Sequence, residues 1–253
     1  MRRPVLAFLT AALIGAGASA AARAEEIVLP QKHWSFEGIF GTYDRAAVQR
    51  GFQVYKEICS ACHSMNLVHY RDLQAIGFSE DQVKQIAASV QVTDGPNDAG
   101  EMFERPGKPS DPFKAPFPNE NAARAANNGA LPPDLSLMYK ARKGGADYTY
   151  GILTGYGEPP AGATVAEGMN YDKYFPGHQI AMPPPLSDGA VTYADGTKAT
   201  VDQMAFDVSN FLAWTAEPKL EARHLIGVKT VLFLIVLTAL LYGVKRKIWA
   251  AVH

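Results

Sequence analysis

The sequence predicts a mostly α-helical head, built from helices separated by long loops, with one membrane-spanning helix near its C-terminus. Three observations carry this. Apolar residues recur at helical spacing behind recognisable N-caps. Between those helices the chain is dense in its 17 Pro and 22 Gly. Close to the end, an apolar run from Leu225 to Val244 meets a cluster of cations.

Of the 253 residues, 47% are hydrophobic, enough for a packed core. Only two are Cys, which excludes a disulfide scaffold. A net charge of −1, with no long basic stripe between the two ends, argues against a protein that binds nucleic acid by neutralising phosphates.

Residues 1–24 read as a secretory signal peptide. Arg2 and Arg3 form the positive end, Val5 to Ala18 the apolar segment, and Ala22-Arg23-Ala24 the small-x-small cleavage pattern. The Ala- and Gly-rich run is short for a membrane span, and general bacterial export suits it better than a mitochondrial presequence. Its removal takes three arginines and no acid, leaving residues 25–253 more acidic than the whole.

Residues 25–224 form the expected exported domain. Asp44 caps a helix running through Ile58, with Val48, Phe52 and Tyr55 on one face. Ser79 and Gln82 make a capping box ahead of Val83, Ile86, Ala87 and Val90. Asp94 to Asn121 reads as one long surface loop. Leu135 to Arg142 and Tyr148 to Leu153 suggest two short helices around a Gly144-Gly145 turn. Residues 155–199 are again loop, with a turn at Tyr193-Ala194-Asp195-Gly196. Thr200 and Gln203 suggest a second capping box, followed by an apolar stripe of Val201, Met204, Ala205, Val208, Phe211, Leu212 and Thr215 that ends before Pro218. Loops this long need a reason inside a compact domain, and a large apolar cofactor would supply one.

Residues 225–244, interrupted only by Lys229, reach about 30 Å as a helix, the thickness of a bilayer's hydrocarbon core. Lys245-Arg246-Lys247 follow, placing the tail of residues 245–253 in the cytoplasm. Lys229 lies one turn inside the other end, where it can snorkel to the periplasmic surface.

Both cysteines lie in Cys59-Ser60-Ala61-Cys62-His63. A disulfide or a thiol-exchange pair is the ordinary reading of Cys-x-x-Cys in an exported chain. The following His changes it, because Cys-x-x-Cys-His is the attachment signature of a c-type haem and arises by chance about once in 5,000 such chains. Thiols at i and i+3 share a face and can bond the two vinyl groups, while His63 projects toward the iron. A second axial ligand is then needed. Met182 stands in Ile180-Ala181-Met182-Pro183-Pro184-Pro185-Leu186, where prolines stiffen an extended backbone. The pattern puts Met182 first and leaves His178 open.

Two further residue types fit a haem. Arg124 could pair with a propionate, against the alternative of an ordinary surface cation. A proline carbonyl, from Pro132 or Pro133, could accept the Nδ1–H of His63 and fix its tautomer, against simple turn stiffness.

The motifs Cys59 to Met65, Arg124 to Ser136, Gly155 to Pro160, Tyr174 to Gly177 and Ile180 to Leu186 together resemble the cytochrome c1 family, over Trp34 to Lys247. The resemblance implies a cytochrome c-like haem domain with long loop insertions. It implies one covalently attached haem c, with thioethers at Cys59 and Cys62, His63 and Met182 as axial ligands, and the Arg124 run against the haem edge. It further implies an electron-carrier subunit, not an enzyme on its own, of the dimeric ubiquinol–cytochrome c reductase. The partners would be a cytochrome b subunit, a Rieske iron–sulfur protein, a soluble c-type cytochrome and the surrounding lipid. A basic soluble cytochrome would be steered by acids, and Asp94, Asp98, Glu101, Glu104 and Glu158 are the expected patch. Some relatives carry an extra disulfide that this chain lacks, and Pro183 to Pro185 are expected to stiffen the Met182 loop instead. A tail-anchored dithiol oxidoreductase is the rival from another class.

Overall fold

The computed structural model describes residues 27–250, so the predicted signal peptide and the last three residues of the tail lie outside it. Helix α1 spans Arg45–Glu57, and the carboxylate of Asp44 accepts from the backbone N–H of Ala46 (3.0 Å) and Ala47 (3.2 Å). Val48, Phe52 and Tyr55 are buried, as their spacing predicts. Helix α2, Glu80–Ala88, carries the complete Ser79–Gln82 capping box.

The predicted single loop from Asp94 to Asn121 is corrected. Strand β1 (Gln91–Asp94) pairs antiparallel with β2 (Phe103–Pro106), and α3 (Glu120–Ala126) begins before the loop was expected to end. Short strands with mixed exposure give no clean alternation to read. Helix α4 is a single turn, Met138–Ala141, while α5 runs Gly145–Thr154 and so starts three residues earlier than predicted. Gly144 supplies its N-terminal backbone at φ +95°. A two-residue ladder, β3 (Asn170–Tyr171) with β4 (Gln179–Ile180), lies inside the Pro/Gly-rich segment that reads as loop.

Helix α6, Val201–Ala216, is the centre of the head. Thr200 caps it by accepting from Gln203 N–H, but the reciprocal half of the predicted box is missing. The Gln203 amide instead donates to Asp207 Oδ1 at 3.1 Å. Burial exceeds the predicted stripe, since Asp207, Ser209, Asn210, Ala213 and Trp214 are buried too. Such burial all round marks a helix wrapped by others. On the α5 side, Thr149 Oγ1 donates to Ser209 Oγ at 3.0 Å.

The crossing of α1 and α6 is close enough to require glycine. A Cβ at Gly51 would sit 2.0 Å from the Asp207 carbonyl oxygen and 2.8 Å from Phe211 Cβ. Beside it the Arg50 guanidinium grips the fully buried Asp207 with two bonds of 2.9 Å and reaches Asp195 with a third. Aromatic rings fill the rest of the core, with Phe52, Tyr55, Phe113 and Phe211 in mutual contact. Trp34 lies flat on Phe206 and donates its indole N–H to Asp147.

Helix α7, Leu220–Trp249, is longer than the predicted span and continues through Lys245-Arg246-Lys247. It is apolar and long enough to cross a membrane, and no residue of its most apolar window is buried among the described residues. Its first turn is fastened to the head, Glu221 pairing with Arg45 at 2.7 Å and accepting from Tyr43 N–H at 2.8 Å.

Candidate haem site

After α1 the chain tightens into a 3₁₀ turn over Cys59–Ala61. Cys59 C=O accepts from the backbone N–H of Cys62 (3.1 Å) and of His63 (2.9 Å), gathering both thiols and the imidazole on one turn. The cysteines are not joined to each other. Burial pushes the Cys59 thiol up to about 12, away from the thiolate that disulfide exchange requires.

His63 is positioned from the far side of the chain. Its Nδ1 lies 2.8 Å from the carbonyl oxygen of Pro133. Of the two candidate prolines, Pro133 is therefore the one whose carbonyl meets the imidazole, and Pro132 stands one residue too early. A carbonyl can only accept, so Nδ1 carries the proton and Nε2 keeps its lone pair for a metal. Burial lowers the imidazole's pKa, opposed by the Pro133 carbonyl and the Asp134 charge. Neutral imidazole is the form that binds iron.

The Pro133 carbonyl is itself held by a clamp absent from the predicted site. Asp134 Oδ2 accepts from Ser64 Oγ and Asn66 N–H, both at 2.8 Å, and Oδ1 accepts from Ser136 N–H at 2.8 Å. Leu135 N–H reaches Ser64 C=O at 2.9 Å, and Leu67 N–H reaches Ser136 Oγ at 3.1 Å. Residues 64–67 and 134–136 are thus stitched together directly behind His63. Burial would raise the Asp134 carboxyl, but these bonds outweigh it and hold the group below its usual range. The Asp-x-Ser spacing after Pro132-Pro133 is an Asx-turn pattern that marks this residue in the sequence.

Met182 lies in a bend just after β4. Its carbonyl accepts from Tyr156 O–H at 3.0 Å and from Asn170 Nδ2 at 3.3 Å. These two hydrogen bonds restrain the loop. Gly155 makes the approach of Tyr156 possible, since a Cβ there would meet Asp172 Oδ1 and a ring carbon of Tyr174, each at 2.8 Å. Buried Asp172 organises the next turn, Oδ1 accepting from Tyr174 N–H (2.8 Å) and Phe175 N–H (2.9 Å). His178 belongs to that turn, at φ +57°, stacked on Tyr171 with Nδ1 3.3 Å from the Asp172 carbonyl oxygen.

Arg124 sits exposed on α3 and donates to Gly129 C=O at 3.1 Å, closing the loop that leads to Pro133. Of the five acids expected to form one patch, Asp94, Asp98, Glu101 and Glu104 share the β1–β2 hairpin. Glu158 belongs to a different loop, and Asp94 is paired with Arg105.

The donor set fits a c-type haem. Two thiols on one turn suit two thioethers, and one imidazole with its Nδ1 already committed suits an axial bond. The porphyrin would supply the other nitrogen ligands.

Residues 34–252 match the model of the Cytochrome C1 family. Cytochrome c1 of Rhodospirillum rubrum is 50% identical over 253 residues, covering 94% of this chain and 93% of that protein. Mitochondrial cytochrome c1-2, heme protein, of Solanum tuberosum is 54% identical over 205 residues, covering 81% of this chain and 79% of the relative. Cytochrome b/c1 of Bradyrhizobium diazoefficiens is 50% identical over 246 residues, and the chain spans 36% of its length. A match of this extent, over a turn and a histidine arranged in this way, shows that the chain belongs to the cytochrome c1 family.

Proposed function

We propose that this chain is the haem-bearing electron-transfer subunit of a bc1 complex, taking single electrons from a Rieske iron–sulfur protein and passing them to a soluble c-type cytochrome. The observation that carries the reading is the Cys59–His63 turn, with His63 Nδ1 bound to Pro133 C=O. One haem c, covalently attached, supplies a centre that gains and loses one electron. The chain makes and breaks no substrate bond, so it is not an enzyme by itself.

In this reading Cys59 and Cys62 hold the thioethers, and His63 and Met182 are the axial ligands. Pro133 keeps the His63 proton on Nδ1, and the Asp134 clamp keeps Pro133 in place. Tyr156 and Asn170 hold the Met182 backbone, so only its side chain remains to be ordered when the sulfur binds. A His/Met pair raises the reduction potential, which suits a late carrier. Arg124, exposed beside the loop to Pro133, is assigned to a propionate. Acids of the β1–β2 hairpin are assigned to the encounter with a basic partner, weakened by salt.

Helix α7 is assigned as a single span beside cytochrome b in a dimeric complex. The head would face the periplasm and Lys245-Arg246-Lys247 the cytoplasm. The domain limits 1–24, 25–224, 225–244 and 245–253 belong to the same proposal.

Optical spectra and redox titration of the detergent-extracted protein, beside Met182→Leu, test the assignment. The parent gives a covalently held low-spin c-type spectrum. The variant loses the methionine-linked band, and its potential falls by at least about 0.1 V, within the ~0.8 V that axial ligation commands. An unaltered variant would remove Met182 from the iron. Absence of haem would return Cys59 and Cys62 to thiol exchange.

A further inference from the structure

The segment between Trp34 and Tyr43 sends Phe36 into the core, but its tip serves neither the core nor the haem turn. Its ends close on themselves, Thr42 N–H donating to Ser35 C=O at 3.0 Å and Gly41 N–H to Gly38 C=O at 3.3 Å. Gly38 adopts φ +77°, and a Cβ at Gly41 would lie 2.3 Å from the carbonyl oxygens of Phe36 and Glu37. The turn is therefore tightly built. At its tip are Ile39 and Phe40, 68% and 78% exposed, while Trp34, Phe36 and Tyr43 at its base are buried. An aliphatic and an aromatic side chain held out side by side on a rigid turn call for a covering partner.

The fastening of the turn indicates which partner. Tyr43 O–H donates to the carbonyls of Ala213 (3.2 Å) and Glu217 (3.1 Å), at the end of α6. Glu221 holds Tyr43 N–H and Arg45, and His224 Nδ1 lies 3.4 Å from Gly41 C=O. Glu221 and His224, three residues apart, share one face of α7. The turn thus lies along the first turns of α7, and the residue after His224 is Leu225, where the apolar run begins. Ile39 and Phe40 are at most two residues from Gly41, a reach of about 7 Å. On the reading that α7 spans the membrane, they stand near the depth at which it would enter hydrocarbon. A two-residue apolar tip is small for a protein interface, which needs about 800 Å² per partner. Apolar Phe and aliphatic side chains are what interfacial segments bury at the headgroup–acyl boundary, with neighbouring charges such as exposed Glu37 on the headgroup side.

We infer that Ile39 and Phe40 enter the headgroup–acyl boundary of the bilayer, giving the head a second lipid contact beside α7. This rests on the reading that α7 spans the membrane. Together the two contacts set the tilt of the head, where a single tether would leave it free to swing.

The test places the photoreactive residue p-benzoylphenylalanine at position 40 of the full chain in its native membrane, and separately at position 234 within α7. A retained haem spectrum shows that each variant is folded, and the same probe at position 39 gives an independent reading. Lipid adducts at 234 and at 40 or 39 are expected. Lipid adducts at 234, with polypeptide adducts or none at 40 and 39, would overturn this inference alone and make the tip a protein contact or a bare surface. The absence at 234 of both a lipid adduct and an adduct to cytochrome b would overturn the spanning reading, and this inference with it.

Discussion

Replacing Gly51 by alanine pits two physical effects of opposite sign against each other. In a helix interior alanine is favoured over glycine by about 0.8–1 kcal/mol. Here the added Cβ would meet the Asp207 carbonyl oxygen at 2.0 Å, the carbonyl carbon at 2.6 Å and Phe211 Cβ at 2.8 Å. Comfortable carbon contacts lie near 3.5–4.0 Å, so α1 and α6 must part by on the order of 1 Å. Two of the three obstructing atoms are backbone, so no rotamer change relieves them. Overpacking of this kind costs about 1–3 kcal/mol. Parting the helices also stretches the Arg50–Asp207 fork, and breaking a buried pair costs about 3–5 kcal/mol. Even with part of that second cost, the net loss is about 2–5 kcal/mol. For a domain of this size it lowers Tm by roughly 5–15 °C.

The assay is a thermal melt by far-UV circular dichroism on the haem-loaded protein, with the haem absorbance followed in parallel. The Cys59 turn directly follows α1, so the haem signal should be lost together with the helices. A control at exposed Ala46, changed to glycine, loses only about 1 kcal/mol through propensity. A Gly51→Ala protein as stable as its parent would mean that the two helices are not in backbone contact, and the packing argument would fail.

Two further outcomes are expected. Asp134→Ala removes the acceptor of three hydrogen bonds and leaves two backbone N–H groups without it. It should cost about 2–4 kcal/mol and release the His63 ligand at lower denaturant, with Asp134→Asn recovering part; unchanged ligand stability would show that the clamp does not position His63. Asp111 is held at about 2 by its hydrogen bond from Arg105, against an unfolded value near 3.9. Its contribution is therefore full above about pH 4 and lost as pH falls toward 2. Asp111→Asn should be less stable than the parent at neutral pH, the difference closing over that window. A difference that persists at pH 2 would contradict the pairing.

Local chemistry was legible along the chain wherever its cause is local. Asp44, Ser79 and Thr200 marked helix starts because a capping side chain bonds backbone two or three residues away. Cys59, Cys62 and His63 were legible because one turn brings them together, and the α7 span because bilayer thickness sets a length that any sequence must meet. The hairpin of β1 and β2 was hidden, since strand pairing depends on the partner rather than on either strand's own pattern.

What only the tertiary structure decided are the meetings between distant segments. Pro133 rather than Pro132 faces His63, a distinction of one residue in a loop whose path is set by the Asp134 bonds to residues 64–66. Tyr156 and Asn170 hold Met182 because Gly155 lets two strands of loop approach, which spacing along the chain does not encode. Asp207, a charge in the middle of an apolar stripe, became a core residue only because Arg50 arrives from the other helix to pair with it. Residue order determines which groups exist and which turns they make. Packing determines which of them meet, because contact between remote segments depends on the shape of everything between them.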